Sequence, residues 1–331
     1  MPVFLQGICS HLPERRLTNE DICARNPNWR PEKILQVTGI RERRIAGPEE
    51  TAGDLAAAAA ERLLTVHGVD RSTIDALLLC TQSPDHFPVI PATACLLQER
   101  LGLPTSCGAF DYNLGCSGFT YGLWLARALI LSGSARKVLL VTSETVARNC
   151  APDDMTTVVN FGDAAAACLL SDDPSGAWAS VGVSVVGTDG RGAENLIVRA
   201  GGSRRPREPS ILTMNGPEVF SFTLHTVHAL IDQLLTRAEV SRSAIDWYLF
   251  HQANRFLLES LAKKMSIPFA RMPLDIDDIG NTSSASIPIL IERSRAKALF
   301  QPGQTAVLAG FGVGYSWAAT ILQFLEGIAT P

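Results

Sequence analysis

Short apolar runs punctuate the chain at Leu77–Cys80, Val138–Val141, Tyr248–Phe250 and Val307–Ala309, and each reads as a buried strand. Helical stretches separate them. Residues 51–66, "TAGDLAAAAAERLLTV", are rich in strong helix formers, and a counterpart lies around Val219 to Arg237. A small-residue segment after Cys116 takes on helical periodicity through Ile130. Strands alternating with helices predict an α/β fold with mixed sheets.

The chain carries an ordered internal repeat. "IDALLLCTQ" from Ile74 is answered by "IDWYLFHQAN" from Ile245, an offset of 171 residues. Gly115-Cys116, followed by a helical pattern, is answered by Gly280-Asn281 at an offset of 165, and "KVLLVTSE" from Lys137 by "TAVLAGFG" from Thr305 at 168. Nearly equal offsets in one order are what duplication with loop insertions and deletions leaves. The reading is therefore two halves, 1–171 and 172–331, packed about a pseudo-twofold axis. "DGRGAENLIVRAGGSRRPREPS", early in the second half, reads as a loop excursion.

A chain of 331 residues, 46% hydrophobic and 19% charged, can bury a large core and falls outside the composition of disordered proteins. The formal net charge of −4 and pI of about 5.9 give no general attraction to nucleic acid or to anionic membranes. No stretch approaches the length of a membrane span, and residues 1–19 lack a secretory pattern, so the expectation is a cytoplasmic protein. The eight cysteines stand singly, with no CxxC pair and no Cys/His cluster. The expectation is no metal and mostly reduced, buried thiols.

Three residues could carry chemistry. Cys116 stands at a predicted helix start, where unpaired N–H groups favour thiolate, although a packing cysteine at a strand-to-helix turn has the same local sequence. His251 ends an apolar strand, the end at which α/β folds place ligands; a hydrogen-bonded structural histidine is the alternative. Asn281 matches Cys116 through the repeat, and alone it would read as a helix N-cap. Together the three suggest a thiol-centred acyl-transfer site. "GFGVGYSW", Gly310–Trp317, is either a glycine turn or, through backbone N–H groups joined by that of Cys116, an oxyanion hole. "NFGDAAAACLL" from Asn160 lacks the glycine pattern and lysine of a nucleotide-binding loop, so no cofactor is expected.

"GCSGFTYGL" around Cys116, "FHQAN" around His251, "GNTSSASIP" around Asn281 and "GFGVGYSW" near the end, with "TGIRERRIA" from Thr38, resemble β-ketoacyl-acyl-carrier-protein synthase III of the thiolase superfamily over nearly the whole chain. The resemblance implies a five-layered α/β/α/β/α sandwich and a homodimer. It implies that Cys116 takes an acyl group from a thioester, and that His251 and Asn281 stabilise the enolate formed when a malonyl thioester loses CO₂. It also implies that Gly312 and Val313 form the oxyanion hole, that Phe311 walls the site, and that Ile90 replaces a bulky aromatic in the acyl pocket, allowing a longer or branched chain. Arg255, Lys263 and Lys264 fall where relatives dock acidic acyl-carrier protein, although lysines on a merely solvated helix face would read the same.

The departures point to the donor. Val37 and Met155 stand where relatives that prime from acyl-CoA commonly carry arginines, Pro217 where they have an asparagine, and Trp29 is shifted in spacing. The CoA-nucleotide site thus looks eroded, which favours acyl-carrier protein as donor. Valine at 313 resists positive φ, so the last loop should use an ordinary backbone region there. Two other readings stay open: transfer of the acyl group to an amine or hydroxyl without decarboxylation, and a non-catalytic partner in a synthase heterodimer. Intact His251 and Asn281 weigh against the first, Cys116 against the second.

Overall fold

The computed structural model describes residues 2–86 and 90–325. The first half runs β1 (Val3–His11), β2 (Arg16–Thr18), α1 (Asn19–Arg25), α2 (Pro31–Thr38), β3 (Glu42–Arg44) and α3 (Ala52–Val66). It continues with β4 (Ala76–Cys80), α4 (Thr93–Arg100), β5 (Gly108–Tyr112), α5 (Gly118–Leu131), β6 (Lys137–Glu144) and β7 (Ala164–Ser171). The second half comprises β8 (Ala179–Thr188), β9 (Leu196–Val198), β10 (Leu212–Met214), α6 (Gly216–Ala238), β11 (Trp247–Phe250), α7 (Arg255–Lys264), α8 (Ser286–Ala296), β12 (Thr305–Gly312) and β13 (Ser316–Phe324).

Strand order exposes the duplication. The first half is ordered β5-β4-β6-β7-β1 and the second β8-β13-β12-β11, joined edge to edge where Val3–Leu5 pairs with Ala179–Val181. Read outward from that seam, β1, β7, β6 and β4 correspond to β8, β13, β12 and β11. Among the described residues no strand answers β5. In its place the Gln252 carboxamide bonds the chain beyond β11, accepting from Asp275 N–H at 2.9 Å and donating to the carbonyls of Phe250 (2.7 Å) and Pro273 (3.4 Å).

Five layers follow from the packing. α5 and α8 contact strands of both halves and form the middle layer, with Phe119, Leu123, Ile287 and Leu290 buried among residues of both sheets. α3 and α4 cover the outer face of one sheet, α6 and α7 that of the other. Thr51 caps α3 in a reciprocal box with Asp54. Ala56, Ala57, Ala59 and Ala60 are all buried, so this helix lies close on the alanine-rich β7. β7 ends at Ser171, where the repeat placed the boundary of the first half.

Candidate active site

Each candidate sits at the end of a strand or the start of a helix, positions that the duplication brings together. Cys116 lies two residues before α5, with the turn closed by Gly118 N–H to Gly115 O at 2.7 Å. His251 follows β11 and donates its backbone N–H to Ala309 O on β12 at 2.9 Å. Asn281 follows Gly280, whose φ of +75° and 2.9 Å approach of an added Cβ to Asn160 O both call for glycine. Cys116, His251 and Asn281 are buried and line one cavity of about 410 Å³ with Phe311 and Gly312. A second cavity, of about 340 Å³, also opens on Cys116 and is walled by Val146, Phe161, Leu196, Leu212 and Val313.

The electrostatics differ from the sequence expectation at the nucleophile. The helix start was expected to lower the Cys116 pKa, but burial pushes the thiol up to about 11. The Ser283 hydroxyl, 3.9 Å from Sγ, and the backbone N–H groups of Val313 and Cys116 pull it back only in part, while the Glu144 carboxyl pushes it further up. His251 is driven down to about 3, first by burial and despite an opposing bond with the Ser283 backbone, so its ring is neutral at physiological pH. Its Nδ1 pairs with Ser286 Oγ at 2.8 Å, which fixes the ring plane and leaves Nε2 for the cavity. Phe311 meets the ring edge-on at a centroid distance of 5.8 Å.

Asn281 caps a turn and also lines the first cavity. Its Oδ1 accepts from Ser283 N–H at 2.9 Å and so caps the turn leading into α8, which leaves the Nδ2 donors for the cavity. Its main chain is clamped to the neighbouring segment, N–H to Asn160 O at 2.8 Å and O from Gly162 N–H at 3.0 Å. That segment rests on Arg43 of the "TGIRERRIA" motif, fully buried, whose guanidinium donates to Val159 O and to Asn19 Oδ1. The motif is therefore a buried support for the site.

The last loop behaves as its sequence suggested. Val313 keeps an ordinary φ between Gly312 and Gly314, and its N–H bears on Cys116 Sγ. Gly312 supplies space: a Cβ there would come within 2.8 Å of Cys116 Cβ and 2.9 Å of Sγ.

Ile90 departs from the expectation: it is 76% exposed and lines neither of the two cavities of its own chain. Arg255, at the start of α7, packs across Gly39, and Lys263 and Lys264 are exposed in the last turn of the same helix. Val37 is exposed, Met155 packs against Ile22 and Ile34, and Pro217 lines the first cavity. Sequence reasoning missed Ser283, Ser286, Glu144 and Asn160. The first two lie inside "GNTSSASIP" and Asn160 opens "NFGDAAAACLL", where neighbours of the site could have been suspected; Glu144 carries no local signal.

Comparison with known proteins agrees with this geometry. Residues 110–190 match the family model described as 3-Oxoacyl-[acyl-carrier-protein (ACP)] synthase III, and residues 235–324 match that of its C-terminal part. The chain is 35% identical over 322 residues to a β-ketoacyl-[acyl-carrier-protein] synthase III of Methylococcus capsulatus, covering 97% of this chain and 98% of that one. A crystal structure of a 3-oxoacyl-(acyl-carrier-protein) synthase III shares 44% identity and a TM-score of 0.93, covering 98% of this chain and all of the other. The priming β-ketosynthase of the R1128 polyketide pathway shares 29% identity and a TM-score of 0.88, covering 99% and 97%.

Proposed function

Because the chain belongs to the 3-oxoacyl-[acyl-carrier-protein] synthase III family, with its thiolase-like fold of two duplicated halves, we propose that it joins an acyl group to a malonyl thioester through Cys116. It is an enzyme of decarboxylative condensation, in fatty-acid or secondary-metabolite synthesis. The Cys116 sulfur attacks the donor thioester carbonyl, the carrier thiol leaves with the cysteine proton, and the acyl chain lies in the cavity of Val146, Phe161, Leu196 and Leu212. The Val313 and Cys116 N–H groups face the oxygen that becomes negative in the tetrahedral state. A malonyl thioester then enters beside His251 and Asn281. Its carbon–carboxylate bond breaks, CO₂ leaves, and the enolate oxygen is held by the neutral imidazole and the Asn281 Nδ2. The carbanion attacks the acyl-cysteine, the carbon–sulfur bond breaks to expel the Cys116 thiolate, and a proton from water restores the thiol.

The observation that carries this reading is the meeting of two cavities at Cys116, with His251 and Asn281 on one of them alone. It also favours condensation over transfer to an amine or hydroxyl, which has no use for a neutral His–Asn pair. Incubation with acyl and malonyl thioesters tests it. His251→Ala and Asn281→Ala should keep the acyl mass on Cys116 but release CO₂ at least about a hundredfold more slowly, whereas Cys116→Ala should lose the mass increment. Loss of loading with CO₂ release intact would reverse the assignment.

We further read acyl-carrier protein as partner, docking by Arg255, Lys263 and Lys264 on α7, whose first turn borders the cavity at Asn254 and Phe256. No resident cofactor is needed for these steps. A homodimer is supported by β5, an exposed edge strand carrying half-exposed Phe110 next to exposed Leu96 and Ile90, a surface suited to pairing with its own copy. A cytoplasmic location suits a thiol nucleophile, and no described helix is long and apolar enough to cross a membrane. We place the division of the halves after Ser171.

A further inference from the structure

The cavity of about 340 Å³ on Cys116 has an apolar wall, yet three carboxamides also line it: Gln82, Asn113 and Asn149. Gln82 stands nearest the chemistry. A Cβ added at Gly115 would collide with Gln82 Oε1 and with Val313 Cγ1, so these two side chains lie over the residue that precedes the nucleophile. The Gln82 carboxamide is thus within about 8 Å of the Cys116 Cα. Its backbone N–H donates to Glu144 Oε2 at 3.0 Å, but its half-buried side chain makes no hydrogen bond among the described residues. Asn149 donates Nδ2 to Ser210 O at 2.8 Å, which leaves its Oδ1. A chain of hydrocarbon alone would strip water from the Gln82 donors and acceptor and return nothing, whereas a neutral group that both donates and accepts restores both. A carboxylate does not suit the cavity, because no cationic side chain lines it.

We propose that the acyl group selected here is a short chain with a hydroxyl on carbon 3, held by the Gln82 carboxamide. The inference rests on the acyl-thioester reading above and names its class of donor. Carbon 2 of a chain on Cys116 stays beside the sulfur, where the Ser283 hydroxyl already stands at 3.9 Å. Carbon 3 is the first to enter the cavity. Its hydroxyl donates to Gln82 Oε1 and accepts from Nε2, while the alkyl end beyond it meets the apolar wall. Gln82 is thereby a specificity residue that takes no part in bond making.

Two donors of one shape isolate this contact: the N-acetylcysteamine thioesters of 3-hydroxybutyrate, each enantiomer in turn, and of 3-methylbutyrate, in which a methyl replaces the hydroxyl. In each, Cys116 Sγ bonds the acyl carbon and N-acetylcysteamine leaves as its thiol. Loading is followed by intact mass at subsaturating donor, and each rate is divided by that donor's uncatalysed rate with free cysteine, which removes the inductive effect of the hydroxyl. The wild-type protein should load the better 3-hydroxybutyryl enantiomer about three- to tenfold faster than 3-methylbutyryl, the worth of one neutral hydrogen bond. Gln82→Leu should lose that preference or invert it. Loading of 3-methylbutyryl at an equal or higher normalised rate by the wild-type protein, or an unchanged hydroxyl preference in Gln82→Leu, would overturn the inference while leaving the thioester reading intact. The wild-type comparison decides even where the variant fails to fold. Absence of Cys116 loading from any thioester would sink the parent reading, and this inference with it.

Discussion

Cys116 and His251 are moved in opposite directions by the same cause. Burial makes the thiol harder to ionise and the imidazole harder to protonate, so the resting pair is neutral–neutral, not thiolate–imidazolium. The consequence for pH is specific. With the thiol near pKa 11, the thiolate fraction stays small at neutral pH and grows about tenfold per unit below that value. His251, already neutral above about 3, adds no slope. Single-turnover loading of Cys116 should therefore rise steadily between about pH 6 and 9, while CO₂ release from the loaded enzyme stays flat. A plateau in loading reached by pH 7 would mean that the helix start outweighs burial after all.

At the scale of elements, the site is held by chain turns that leave no room for a side chain. Gly312, at the end of β12, lies so near Cys116 that an added Cβ would fall 2.8 Å from its Cβ. Gly312→Ala should push the sulfur or the Val313 N–H out of line and slow loading on the order of a hundredfold, the usual cost of displacing reacting groups by about an ångström. Thermal denaturation and loading kinetics of the same sample separate this from unfolding; loading at the wild-type rate would refute the close packing. Such turns were legible in the sequence because glycine beside Cys116, beside Asn281 and in the last loop marks chain reversals next to chemistry. The alanine-rich strand β7 was not. β7 reads "AAAACLLS", a run that favours helix by propensity, and becomes a strand only because its small side chains let α3 lie against the sheet. The repeat likewise gave no hint that, among the described residues, no strand of the second half answers β5.

At the scale of the whole molecule, the halves are joined behind the nucleophile by one buried carboxyl. Glu144 ends β6 in the first half, accepts from the Ser284 hydroxyl in the second at 2.9 Å, and accepts from Gln82 N–H at 3.0 Å. Burial raises its pKa to about 8, against 4.5 for an ordinary glutamate. The folded protein therefore keeps a proton that the unfolded chain has already lost between those two values. Stability from this group is full below about pH 4.5 and declines as pH rises to about 8, by on the order of a few kcal/mol in all. Glutamine has the same shape, does not titrate, and can still accept from Gln82 N–H while donating to Ser284. Glu144→Gln should thus melt close to wild type at pH 5 and increasingly above it toward pH 8. Because His251, whose shift owes nothing to Glu144, titrates equally in both proteins, the difference between the two melting curves reports on Glu144 and the charge it shares with Asp163. A gap that stays constant or narrows with rising pH would show that the carboxyl is ionised in the fold, and that the two halves meet at a charge and not at a neutral acid.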